Sequence, residues 1–131
     1  MTVRNYRDLL VWQKSMDLVM SVYGLTSRFP KQETYGLSSQ MQRAAVSIPA
    51  NIAEGHDRDS TKEYLHSLAI AVGSLAELET LLAIARRLTY LDAKRYGEHE
   101  VACQTLGRML RNLQRALRAR VRRKRKEGDD S

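Results

Sequence analysis

Apolar residues recur at three- and four-residue intervals through most of the chain, and the two-residue alternation of strands is absent, so the pattern predicts helices. A first helix is expected from about Asp8 to Ser27, carrying Leu9, Trp12, Met16, Val19, Met20 and Tyr23, with Pro30 past its end. A second runs from near Glu33 to about Glu54, with Gly55 as its C-terminal stop. Pro49 lies inside it, where the missing amide leaves the Ala45 carbonyl unbonded and should bend the helix. Ser60, Thr61, Lys62 and Glu63 form a capping box, in which the Ser60 hydroxyl and the Glu63 carboxylate each satisfy a free amide. That box opens a third helix reaching about Leu88. Asp92 caps a fourth, with Tyr96, His99, Cys103, Leu106, Leu110, Leu113 and Leu117 along it. Connections of roughly three to seven residues favour antiparallel neighbours. The expected fold is all-α: an antiparallel up-and-down four-helix bundle over residues 1–117, with 118–131 a basic extension of helix four, frayed or disordered at its end.

The faces of these helices are informative. Helix two has an apolar arc of Leu37, Met41, Ala44, Ala45, Ile48 and Ile52, and beside it a polar row of Gln40, Arg43, Ser47, Asn51 and Glu54. Such a row fits a hydrogen-bond network between helices, a solvated face, or a ligand surface; the structural network is the leading reading. Helix three is apolar over most of its circumference, more than one bundle can cover, so further cover from another copy is expected. Glu79 falls on its apolar side, where an unpaired carboxylate is costly, and Arg43 is the expected partner; the alternative is an edge position open to water.

Composition and charge sharpen this picture. A chain of 131 residues suffices for one domain, and 43% hydrophobic with 28% charged residues suits an ordered globular one. No apolar run is expected to approach the ~20 residues of a membrane span, and the amino terminus lacks the apolar stretch of a secretion signal, so the expectation is a cytoplasmic protein with no membrane partner. The net charge of +7 is unevenly placed. Residues 1–107 hold 12 Lys+Arg and 12 Asp+Glu, whereas 108–131 hold 10 basic and 3 acidic residues. Within that segment Arg108, Arg111, Arg115, Arg118, Arg122 and Arg125 form a row at three- and four-residue spacing, opposite Leu106, Leu110, Leu113, Leu117 and Val121. Arg120, Arg123, Lys124 and Lys126 lie off that row. Guanidinium groups make forked bonds to phosphate, so the row can track a nucleic-acid backbone without reading sequence. No aromatic residue follows Tyr96, which leaves base stacking unsupported. An acidic protein partner and a solvated helix end are the competing readings.

Chemistry is harder to find. Glu63 and His66 form one Glu-x-x-His pair, but a di-iron bundle needs a second pair and two further carboxylates. His99 and Cys103 share a face, yet two ligands do not make a site, and Cys103 reads as a small core residue. His56 stands beside Asp57 and Asp59 with no nucleophile assigned to it. No glycine-rich phosphate loop and no nucleophile–base constellation is present. The expectation is no enzyme, no catalytic residue, no metal and no cofactor.

Several segments together resemble a known family. Leu10-Val11-Trp12-Gln13-Lys14, Phe29-Pro30-Lys31, Tyr35-Gly36-Leu37, the stretch from Arg43 to Gly55, and Gly73-Ser74-Leu75-Ala76-Glu77-Leu78-Glu79 resemble the 23S ribosomal RNA intervening-sequence proteins over about residues 6–115. The resemblance implies a cytoplasmic up-and-down bundle assembled as a homopentamer, and no settled activity. A related bundle, the accessory protein of diversity-generating retroelements, is a basic pentamer that binds nucleic acid and a reverse transcriptase, an analogy at fold level. The basic tail from Arg118 to Lys126 lies beyond the family core.

The leading expectation is therefore a non-enzymatic, oligomeric nucleic-acid-binding protein, RNA before DNA, using Arg108, Arg111, Arg115, Arg118, Arg122, Arg123 and Arg125. Gln40, Arg43, Ser47, Asn51, Glu54 and Glu79 are expected to hold the subunit together. The rivals are a homo-oligomeric scaffold for protein partners with a merely solvated tail, and a small-molecule pocket on the helix-two row.

Overall fold

The computed structural model describes residues 5–129 and contains four α-helices and no strand among them. A 3-10 turn, Tyr6–Asp8, leads into α1 (Leu10–Thr26); a second, Lys31–Glu33, precedes α2 (Leu37–His56); α3 (Thr61–Arg87) and α4 (Ala93–Asp129) follow. Each helix packs on its sequence neighbour, and α4 closes the cycle against α1, while the backbones of the diagonal pairs stay farther apart. The pairing of Ser47 with Ser74 and of Gly55 with Ser67 makes α2 and α3 antiparallel. Leu75 beside Gly107, and Thr61 beside Val121, do the same for α3 and α4.

The helix starts follow the chemistry of their caps. The Ser60 hydroxyl accepts from the Glu63 amide at 3.1 Å, and the Asp92 carboxylate from the Arg95 amide at 2.8 Å. After α3 the chain turns at Thr89, whose φ of 63° is left-handed, and the Tyr90 amide donates back to the Ala85 carbonyl at 3.0 Å. Helix α2 runs unbroken through the buried Pro49. The tail is helical as far as Asp129; the frayed end expected for the last residues lies outside those described at 130 and 131.

Three expectations need correction. Gly55 does not stop α2: it lies inside the helix and is buried, because α3 approaches so closely that a Cβ there would stand 2.7 Å from that of Ser67 and 2.9 Å from the Tyr64 ring. Of the apolar positions read along the first helix, Leu9, Trp12 and Val19 pack on the core, but the other three do not form its core face. Val11, Ser15, Leu18, Val22 and Leu25 do, a strict four-three spacing, with Val19 beside them. Ser15 can belong to that face because its hydroxyl donates to the Trp12 carbonyl at 2.7 Å. Met16, Met20 and Tyr23 are left outside at 37%, 68% and 45% exposure. Third, α3 is apolar enough by length and composition to cross a membrane, with mean hydropathy 1.8 over its most apolar stretch, contrary to the expectation that no run comes near. Its inner side, from Leu68 through Leu75, Leu78 and Leu82 to Ala85, is core against α2 and α4. Ile70 and Ile84 remain outside.

Candidate nucleic-acid interface

Helix α4 buries one side only: Cys103, Leu106, Leu110, Gln114 and Leu117 face the bundle. The arginine row follows from that register. Arg108, Arg111, Arg115, Arg118, Arg122 and Arg125 lie along one flank, and they, together with Arg120, Arg123, Lys124 and Lys126, are all exposed. Ion pairs within 4.0 Å among the described residues join Arg58 to Glu54 and Arg95 to Asp92, and His56 Nδ1 lies 3.5 Å from Asp57, so no described carboxylate neutralises a base from Arg108 onward. What bonds these arginines make are long and neutral: Arg108 donates to the Thr105 hydroxyl at 3.5 Å and Arg115 to the Asn112 side chain at 3.3 Å. Arg111 folds its guanidinium over Gly107, where a Cβ would stand 3.2 Å from it. Like charges three and four residues apart repel along an exposed helix, so the row costs stability that a phosphate backbone would return.

The last turns of α4 run beside the corner between α2 and α3. Val121, Lys124 and Arg125 border an open hollow of about 430 Å³ with Asp59, Ser60 and Thr61. Next to it, burial pushes the Tyr64 hydroxyl up to about 12, with the Arg120 charge pulling the other way. No sequence pattern foretold this corner, because it depends on where α4 crosses the α3 N-terminus.

The polar row of α2 divides in space. Asn51 donates to the Ser47 carbonyl at 2.8 Å and hydroxyl at 3.1 Å, and Ser74 of α3 donates to the Ser47 hydroxyl at 2.8 Å, so these three are bonded together between the helices. Glu54 instead pairs outward with Arg58 at 2.7 Å. Gln40 and Arg43 are exposed. Glu79 is exposed too, and no ion pair joins it to Arg43. It borders a small hollow with Leu82, Tyr96 and Glu100. The hydrogen bond from Tyr96 to Glu100 raises the tyrosine's pKa, with the charges of Glu100 and Glu79 adding to it. Sequence periodicity placed Glu79 on the apolar side, but the α4-facing edge of that side opens to water.

Elsewhere the candidate chemistry is dispersed. Glu63 and His66 line a cleft of about 760 Å³ between α2 and α3 with Asn51, Glu54, Arg58 and Lys62. His99 Nδ1 lies 2.8 Å from the Arg95 carbonyl. Cys103 is fully buried, and burial first, then the charges of Glu79 and Glu100, push its thiol up to about 12. Among the described residues no three His, Cys, Asp or Glu side chains converge as metal ligands.

No curated protein matches the chain. Among solved structures it is similar to a protein of unknown function from the S23 ribosomal protein family of Bacteroides thetaiotaomicron: 23% identity, a TM-score of 0.72, and coverage of 79% of this chain and 97% of that one. That likeness concerns the fold. The 23S rRNA-intervening sequence protein family model matches residues 7–112, taking in Arg108 and Arg111 and stopping short of the bases from Arg115 onward. On a match that spans α1 to α3, the first half of α4 and most of the chain, this protein belongs to the 23S rRNA-intervening sequence protein family.

Proposed function

We propose that the protein is a non-enzymatic, cytoplasmic nucleic-acid-binding protein, RNA before DNA, that works as a homopentameric ring. The observation that carries the binding is the exposure of ten Lys and Arg residues from Arg108 to Lys126, none within 4.0 Å of a carboxylate among the described residues. Unpaired cations in such density release counterions when they meet a polyanion, and that release supplies sequence-blind affinity. Repetition around a ring would turn weak contacts into avidity.

The ring is supported by two apolar faces on opposite sides of the bundle. Met16, Met20 and Tyr23 lie outside on α1, and Ile70 and Ile84 outside on α3, the helix diagonal to it. A closed ring needs a head-to-tail contact between two unlike surfaces, and a bundle with one such surface on each side has both halves of it.

Labelled RNA is the test. Its affinity for the wild-type ring should fall on the order of a hundredfold or more between 50 and 200 mM salt, as expected for several phosphate contacts per ligand. Arg111→Gln, Arg115→Gln and Arg118→Gln together should weaken binding about tenfold or more with the oligomer mass unchanged. An affinity indifferent to salt overturns the reading. The rival scaffold, docking an acidic protein on the same bases, would instead retain its partners in pull-downs after nuclease treatment.

A further inference from the structure

The bases beyond Leu117 are arranged differently from those before it. Arg108, Arg111 and Arg115 occupy one flank, within roughly 60° at 100° per residue, whereas Arg118, Arg122, Lys126, Arg123 and Arg120 succeed one another around roughly 200°. The remaining sector is braced by the protein: Leu117 is buried, Val121 half-buried, and Lys124 and Arg125 flank the hollow at Asp59, Ser60 and Thr61. The end of α4 is thus a rod supported along one side and cationic on its other sides.

A single strand, or any one phosphate row, can meet only one flank of such a rod. Cations on opposite flanks both find phosphates only when two walls of phosphate stand on either side. The major groove of B-form DNA, about 12 Å wide, admits a helix of about 10–12 Å. That of A-form RNA is deep and too narrow for it. No aromatic side chain follows Tyr96 to hold unstacked bases, which removes the usual source of single-strand affinity. We infer that the last turns of α4, around Arg118, Arg120, Arg122, Arg123 and Lys126, form a second binding site that enters the major groove of B-form duplex DNA. The site rests on the nucleic-acid reading above, reverses its order of RNA before DNA at this end of α4, and leaves the row at Arg108–Arg115 to grip a strand of either nucleic acid.

The full-length protein would be titrated with a 16-base-pair DNA duplex, the RNA duplex of the same sequence, and either single strand, at one salt concentration. Wild type should bind the DNA duplex about tenfold tighter than the others, and Arg120→Gln with Arg123→Gln should abolish that preference, costing the DNA duplex about tenfold more affinity than the other ligands. Equal affinity of wild type for all ligands, or an equal loss on all of them in the variant, overturns the groove site and leaves the broader reading standing. Failure of wild type to bind any of them overturns both.

Discussion

Gly55 and Ser67 bring α2 and α3 into tight contact: a Cβ built on the glycine would lie 2.7 Å from the serine Cβ, with the Tyr64 ring at 2.9 Å. Two rigid helices would have to part to admit a methyl group there. Gly55→Ala should therefore lower stability by about 1–3 kcal/mol despite alanine's better helix propensity. Gly24→Ala, in α1 with nothing within 4 Å of the added carbon, should raise it by about 0.5–1 kcal/mol. Urea unfolding of the two variants checks the opposite signs.

Thr89 holds a left-handed backbone at φ 63° with a β-branched side chain, a conformation that crowds Cβ against the carbonyl. Thr89→Gly removes that crowding, and the gain exceeds the glycine's extra freedom in the unfolded chain. The midpoint of thermal unfolding should rise, by a stability gain of about 0.5–1 kcal/mol. A fall would mean that the Thr89 hydroxyl, which donates to the Leu88 carbonyl at 2.6 Å, matters more than the strain.

Cys103 and Tyr64 have acidities lowered by burial, each group titrating near 12 in the fold. An acid whose folded pKa is raised stabilises the fold fully below its unfolded value and loses that contribution as pH climbs through the folded one. Stability should therefore decline between about pH 9 and pH 12, with the thiol alone contributing a slope of about 1.4 kcal/mol per pH unit while only the unfolded chain ionises. Denaturant unfolding from pH 8 to 11 should show the decline, and Cys103→Ala should make it shallower.

Met20 on α1 and Ile70 on α3 mark the two unlike faces of the proposed ring contact. Met20→Asp and Ile70→Asp should each give monomers with unchanged helicity by circular dichroism. Mixing the two variants should yield dimers, because the intact α3 face of one can meet the intact α1 face of the other. Light scattering reads the masses. A symmetric contact using one face twice would give no recovery on mixing.

Much of this architecture is written locally. Four helices, the caps at Ser60 and Asp92, and the segregation of ten bases from Arg108 onward follow from periodicity, hydroxyl and carboxylate chemistry and simple charge counting, all of which act within a few turns of chain. The tertiary structure alone decided which of two overlapping stripes on α1 faces inward, since both carry apolar residues and only the positions of α2 and α4 distinguish them. It separated Arg43 from Glu79 and made Gly55 a contact rather than a terminus. It also set α4 against the α3 corner, so that one side of a basic rod is braced and the others are free. Helical period tells which residues share a face; which face meets protein and which meets water depends on partners distant in sequence, and that is settled only when the helices pack.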